Sequence, residues 1–294
     1  MRKHQRCPLC EQPQLRPLAE YYDAHGLVKC QNCRFVCMER IPTLEELNDH
    51  YSTYAYEGEG YLSPLTVQSY QRLLDEWEPF RKNNRILDVG CGRGWFLIEA
   101  KKRGWKVFGT EFSEAGVARC REAGIDIRAG ALTADSFPPG HFDIITSFEV
   151  IEHINNPRQE LRYITDFLRA GGLFYCTTPN FDSLMRYYLK ADYDVIGYPE
   201  HLCYYTVRTL NHAAGLYGLR PIKVLTTGLS LTRLRTSQKQ SEEAFVSQSS
   251  ADEHLRQRIA QKWYLGVAKS LINRLLTLTQ TGMTLKGYYQ KPEK

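Results

Sequence analysis

Two rhythms of apolar and polar residues alternate along the chain, and their alternation predicts an α/β fold. Short apolar runs at 85–89, 105–111, 125–129, 142–147 and 172–178 fit buried strands. Longer stretches with three- and four-residue spacing fit helices at 66–82, 157–170 and 207–218. In the first of these Leu73, Leu74, Trp77 and Phe80 fall on one side. Further strands are expected at 220–227 and 284–291, the second closing a hairpin, with a helical insertion at 230–282 between them. There Tyr264, Ala268, Leu271, Leu275 and Leu278 recur at helical spacing, joined by Leu265, Ile272 and Leu276, while Lys262, Lys269, Asn273 and Arg274 take the other side. Such a face can rest weakly on a membrane surface, but more often packs on its own domain or on a second copy of the chain as a homodimer. Residues 237–254, rich in Ser, Gln and acids, read as an exposed, mobile link.

The strand at 85–89 runs into Gly90-Cys91-Gly92-Arg93-Gly94 and then a helix. Three alternate glycines remove Cβ atoms where a backbone turns sharply and approaches a ligand, and the turn places that ligand at a helix N-terminus. A glycine-rich turn alone is shared by several nucleotide-binding folds. Asp88, just ahead of the first glycine, narrows the choice: a pyrophosphate repels a carboxylate there, whereas a ligand carrying a cationic amino acid accepts one. The strand at 105–111 ends in Glu111, whose carboxylate suits two ribose hydroxyls.

These segments, with 142–154 (Phe142 to Ile154, including Glu149, Glu152 and His153) and Leu168-Arg169-Ala170-Gly171-Gly172-Leu173-Phe174, resemble the class I, Rossmann-like S-adenosylmethionine-dependent methyltransferases over 66–292. The resemblance implies a seven-stranded doubly wound sheet with S-adenosylmethionine as cofactor. It places Asp88 at the methionine amino group, with Gly90, Cys91, Gly92 and Gly94 forming the turn beneath it. Glu111 would hold the ribose, with Phe112 beside the adenine and Phe148 at the end of the fourth strand. Ala131 and Leu132 stand where the family often carries an acid for the adenine, so backbone contacts are the expected substitute, and Asp135 is a displaced acid nearby.

Composition fits one such domain with a small appendage: 294 residues, 43% hydrophobic and 24% charged, net charge +5. No signal-peptide core or membrane-spanning stretch is seen, so a cytoplasmic protein is expected. Cys7, Cys10, Cys30 and Cys33 form two C-x-x-C pairs separated by 19 residues, the spacing of a structural Zn²⁺ ribbon over 1–42. Disulfides or redox thiols are the alternatives. Cys37 reads as a spare core or surface thiol, and Cys91, Cys120, Cys176 and Cys203 read as small hydrophobes.

Between ribbon and methyltransferase domain (83–292), residues 43–82 read as a linker with N-terminal helices, Thr43 and Glu46 forming a capping box. Tyr51, Tyr54, Tyr56 and Tyr61 with Gly58 and Gly60 can form a lid, or can pack the ribbon onto the domain.

Acceptor chemistry is sought at the carboxyl ends of strands four and five. No Asn/Asp-Pro-Pro-Tyr follows strand four, which disfavours exocyclic adenine amines, and no Pro-Cys, which disfavours cytosine C5. Glu152 and His153 stand there instead. A loop at 181–206 carries His201 and Tyr205, with helix 207–218 capped by Thr206. His201 or His153 can serve as general base or anchor its loop.

The whole resembles bacterial methyltransferases with N-terminal four-cysteine motifs, many associated with sugar or polysaccharide biosynthesis. It implies a small-molecule or glycan acceptor, methylated at a sugar oxygen or carbon. RNA methylation is the rival, because Arg2, Lys3, Arg6, Lys29, Arg34 and Arg40 make the ribbon basic. A regulatory protein that binds the cofactor without turnover is a third reading.

Overall fold

The computed structural model of the protein describes residues 2–52, 60–229, 258 and 262–293. The first elements are β1 (Arg2–Lys3), β2 (Leu15–Pro17), α1 (Ala19–His25), β3 (Leu27–Cys30), β4 (Val36–Met38), β5 (Arg40–Ile41) and α2 (Leu44–Ser52). After α3 (Pro64–Trp77) come β6 (Arg85–Val89), α4 (Trp95–Lys102), β7 (Lys106–Glu111), α5 (Glu114–Glu122), β8 (Asp126–Ala129) and β9 (Phe142–Phe148). The remainder is α6 (Pro157–Phe167), β10 (Leu168–Pro179), α7 (Leu184–Leu189), β11 (Cys203–Tyr204), α8 (Val207–Gly215), β12 (Arg220–Thr227), α9 (Trp263–Thr279) and β13 (Thr284–Gln290).

The main sheet has seven strands in the order β12-β13-β10-β9-β6-β7-β8, with β13 alone running antiparallel to its neighbours. The chain leaves β6 toward β8, then resumes at β9 on the other side of β6. That reversal is a topological switch point, where the crevice at the strand ends receives a ligand. Alternate residues feed two cores. Leu87, Ile145 and Phe174 join one with α6 and α8; Ile86, Ile144 and Tyr175 join the other with α3 and α4. Strands buried on both faces explain the near-continuous apolar runs in the sequence.

Element ends differ from the periodicity where a local group intervenes. Helix α3 gives way to a 3₁₀ turn at Glu78–Phe80, because Pro79 has no N–H to continue the ladder. Helix α6 stops at Phe167, and β10 begins at once with a register shift between Leu168 and Leu173. Gly172 is required in that bulge: a Cβ would lie 2.9 Å from the Asp143 carbonyl oxygen. The Thr43–Glu46 capping box forms, with both reciprocal hydrogen bonds.

The ribbon is built into the domain. Its sheet runs β11-β4-β3-β2, so β11, from the loop expected over the acceptor, completes the ribbon sheet. Cys203 faces Cys37 and Tyr204 faces Val36 in that antiparallel pair. Leu9, Phe35 and Cys37 share a core with Leu87, Ile145 and Tyr205. Tyr21, Leu27 and Met38 pack with Phe181, Met185, Ile196 and Leu202.

Helix α9 forms as the periodicity predicts, but its apolar face is uncovered by the described residues. Leu271, Leu275 and Leu278 are exposed, and Leu276 is its buried residue. Polar bonds hold it to β12: Thr226 Oγ1 donates to the Leu276 carbonyl at 2.6 Å, and Thr277 Oγ1 to that of Thr226 at 2.9 Å. The expected link at 237–254 and the tyrosines at 54 and 56 lie outside the described residues. No helix among those described is long and apolar enough to cross a membrane.

Candidate active site

Glycine geometry shapes the first wall of the site. Gly90, Gly92 and Gly94 all have positive φ, and a Cβ on Gly90 would sit 2.7 Å from Val150 Cγ2. The turn is stitched to the end of β7. Gly90 N–H donates to Thr110 Oγ1 at 3.2 Å, Cys91 N–H to the Thr110 carbonyl at 2.9 Å, and Gly92 N–H to Glu111 Oε2 at 2.8 Å. Ser113 N–H donates to Glu111 Oε1 at 2.8 Å. Glu111 is thereby fixed at the cavity wall, and each carboxylate oxygen keeps acceptor capacity for a ligand hydroxyl. Asp88 lies behind the turn, buried, accepting a hydrogen bond from Thr146 Oγ1 at 2.7 Å. Burial raises its pKa to about 7, with a smaller upward push from the Glu111 charge.

A single cavity of about 660 Å³ opens at the carboxyl edge of the sheet. Gly90, Glu111, Phe112, Ala131 and Leu132 line one end; Glu152, His153, Glu200 and His201 line the other, and Phe148 also lines the cavity. Cys91, Gly92, Gly94 and Asp88 stand behind the lining, the first with its thiol 3.7 Å from that of Cys120. Tyr205 is away from the cavity: it is buried edge-on against Phe35 of the ribbon, ring centres 5.2 Å apart. Asp135 is exposed and does not line it.

The cavity as a whole is unusual in its electrostatics. Five glutamates line the cavity, Glu111, Glu149, Glu152, Glu160 and Glu200, and among the described residues no lysine or arginine does. Glu149 adopts a left-handed backbone, φ 52, with its N–H on the Thr177 carbonyl. Glu152 is 2% exposed, and neither carboxylate oxygen has a hydrogen-bond partner. Burial, then the charge of Glu149, drives its pKa well above the carboxylate range. Its backbone carbonyl accepts from the N–H groups of Leu202 and Cys203, both at 2.8 Å, which ties the segment after β9 to the ribbon edge.

The two histidine rings meet nearly perpendicular, centres 4.8 Å apart. His153 Nε2 lies 3.9 Å from Glu152 Oε1. Burial and then the neighbouring His201 lower the His153 pKa to about 4. His201 Nδ1 donates to the Val195 carbonyl at 2.6 Å, which makes Nε2 the ring's acceptor nitrogen.

Leu47, Asn155, Asn156, Gln159, Glu160 and Tyr163 also line the cavity and escaped the sequence reading. Glu160 carried a signal: it falls on the apolar stripe of α6 with Leu161 and Ile164, where burial lifts its pKa to about 7.

Away from this cavity, Cys7, Cys10, Cys30 and Cys33 bring their four sulfurs within 4.8 Å of one another. Cys7 and Cys33 are 3.6 Å apart, Cys10 and Cys30 3.5 Å. A tetrahedral ion with metal–sulfur bonds near 2.3 Å would space its ligands about 3.8 Å apart, so the donor set fits Zn²⁺. The Leu9 N–H points at Cys7 Sγ from 3.4 Å, as the first turn of a knuckle requires.

Comparison with known proteins agrees with this architecture. Residues 60–224 match the family model described as a methyltransferase domain. A ubiquinone biosynthesis O-methyltransferase from Aeromonas salmonicida is 35% identical over 103 residues, 33% of this chain and 43% of that protein. The chain thus matches less than half the length of that relative. A phosphoethanolamine N-methyltransferase 2 from Haemonchus contortus, solved with S-adenosyl-L-methionine, superposes with a TM-score of 0.54 at 18% identity, covering 88% of this chain and 62% of that one. A SAM-dependent methyltransferase from Archaeoglobus fulgidus gives 0.50 at 21% identity, covering 76% and 94%. At those identities the likeness shows the fold.

Proposed function

The chain belongs to the methyltransferase-domain family, and on that footing we propose that it transfers a methyl group from S-adenosylmethionine to an oxygen of a small, hydroxyl-bearing acceptor. One observation carries the reading: a single cavity joins a ribose-type acid, Glu111, to a polar end bearing Glu152, His153 and His201. Glu111 would take the ribose hydroxyls, Phe112, Ala131 and Leu132 the adenine, and Asp88 the α-amino group through its charge. When bound, S-adenosylmethionine supplies an electrophilic methyl whose sulfonium keeps the bonding electrons as the methyl leaves. The residues at the far end would hold the acceptor in line and receive its hydroxyl proton; His201 Nε2 is our candidate for that proton, since Nδ1 is bonded to the Val195 carbonyl.

The acceptor end is lined by hydrogen-bonding side chains, which suits the hydroxyls of a sugar or polysaccharide precursor. The O-methyltransferase named among the relatives supports oxygen over carbon. RNA is disfavoured as substrate by the five glutamates, and by the ribbon's ion pairs: Lys3 with Glu39 and Arg40 with Glu46. Zn²⁺ on the four ribbon sulfurs would supply folding free energy to a segment whose own core is small.

The test is incubation with methyl-labelled S-adenosylmethionine and small-molecule, glycan, RNA and protein fractions of cells lacking the gene, with Glu111→Ala as control. Label in the small-molecule or glycan fraction, absent in the control, is expected. Label confined to RNA or protein would overturn the acceptor assignment.

A further inference from the structure

We propose that Glu152, His153 and His201 form a binding site for one divalent metal ion at the acceptor end of the cavity, distinct from the four-cysteine site. Each of the three residues offers a ligand atom, and these atoms lie within 4.8 Å of one another. One carboxylate and two neutral imidazoles are the donor types that bind Mn²⁺, Fe²⁺, Co²⁺ or Zn²⁺.

Three features point to a ligand here. Glu152 is 2% exposed, yet both its oxygens lack a partner. A buried carboxyl in that state is unsatisfied whether or not it is ionised, and a cation between it and the imidazoles corrects this. The histidines are also prepared as ligands. His201 donates its Nδ1 proton to the Val195 carbonyl, the outer hydrogen bond that fixes the tautomer of metal-binding histidines and directs Nε2 to the ion. His153 leaves Nδ1 buried without a partner. Finally, Glu149 and Glu200 line the same cavity, whose described lining holds five glutamates and no lysine or arginine, a composition that favours a cation.

Bonds of about 2.0–2.2 Å would draw the three donors closer than they now stand, a movement within reach of side-chain rotation. Three protein ligands leave coordination positions open toward the cavity. The role that follows rests on the proposed methyl transfer but replaces His201 as proton acceptor: with Nε2 on the ion, an acceptor hydroxyl on an open position would lose its proton more readily, to a lining carboxylate such as Glu200 or to solvent. The binding itself does not rest on it.

The test uses the full chain with zinc retained in the ribbon. Mn²⁺ is the probe, since thiolates compete poorly for it and carboxylate and imidazole accept it. Loss of the free-ion EPR signal should report one bound equivalent, with nitrogen couplings from imidazole in the pulsed spectrum. Glu152→Gln and His201→Ala should each weaken binding about tenfold or more, with zinc content and S-adenosylmethionine affinity unchanged. Wild-type protein that binds no Mn²⁺, or binds it without nitrogen coupling, overturns the proposal even if the variants fail to fold. Equal binding by folded variants also overturns it. Because no step of this assay needs methyl transfer, it fails or succeeds separately from the acceptor assignment.

Discussion

Cys203 lies directly opposite Cys37 in an antiparallel pair, so the loop that carries the cavity-lining Glu200 and His201 also supplies the edge strand of the ribbon sheet. If this loop holds the acceptor as proposed, the pairing makes the four-cysteine cluster a support for substrate binding, although its sulfurs lie outside the cavity lining. Removing the metal should therefore act on the acceptor half first. Cys30→Ser, or a strong chelator, is expected to expose 181–206 to limited proteolysis and to raise the KM for acceptor. S-adenosylmethionine affinity, built on β6 and β7, should change little. Structural zinc in small domains contributes on the order of 10 kcal/mol, enough to decide whether the ribbon folds. Equal loss of both affinities would mean global unfolding rather than this coupling.

Glu111 is the residue whose loss should be felt at the cofactor end. It receives the N–H groups of Gly92 and Ser113, so Glu111→Ala both removes the ribose acceptors and leaves two donors without partners. Charge-assisted hydrogen bonds are worth about 1.5–3 kcal/mol, which predicts a Kd for S-adenosylmethionine raised about tenfold or more. Calorimetry on Glu111→Ala and Glu111→Gln checks this, and the second should lose less because it keeps one acceptor.

Such predictions are available because the turn and the acid proposed to hold the cofactor were legible in the sequence as local features. The turn from Gly90 to Gly94, the acid Glu111 and the four ribbon cysteines are local spacings, and local spacing survives in a one-dimensional reading. The pairing of β4 with β11 joins segments far apart in the chain and leaves no periodic mark. Tyr205 illustrates the cost. An aromatic residue beside His201 reads as a site residue, yet strand alternation and a bridge to Asn180 turn it into the core against Phe35. Glu160 is the converse case, a carboxyl on an apolar helix stripe that opens onto the cavity. The face of α9 that the described residues leave uncovered was predicted as a face, but nothing in its periodicity says what meets it.

Asp88 should make cofactor binding depend on pH in a definite direction. Its pKa, raised to about 7, means the folded chain holds a proton that an exposed aspartate would have lost. From this group alone, stability is greatest below the ordinary aspartate pKa of 3.8 and declines as pH rises through 7. A cationic amino group docked near Asp88 reverses the preference and favours the carboxylate. S-adenosylmethionine should therefore bind more tightly at pH 7.5 than at pH 6, by up to about tenfold per unit below the pKa. Asp88→Asn should flatten that dependence. A wild-type affinity that is level across the range would remove Asp88 from contact with the ligand charge.

His153 and His201 touch, but their ionisations should be separable. The His153 pKa is lowered to about 4 from 6.5, so the folded chain binds fewer protons there than the unfolded chain. Its stabilising contribution is present above pH 6.5 and is lost as pH falls through 4. His153→Gln should accordingly lessen the acid sensitivity of Tm between those limits, while any ionisation near neutrality in the kcat profile belongs to another group. His201 carries the heavier chemical expectation, because the Val195 bond presents its Nε2 as an acceptor. His201→Ala should lower kcat about a hundredfold or more while leaving the KM for S-adenosylmethionine within about twofold. A pH profile run on the variant divides the two roles. A lost general base is partly replaced by hydroxide as pH rises, whereas a lost metal ligand is not. Full turnover in a folded His201→Ala protein would remove this residue from both.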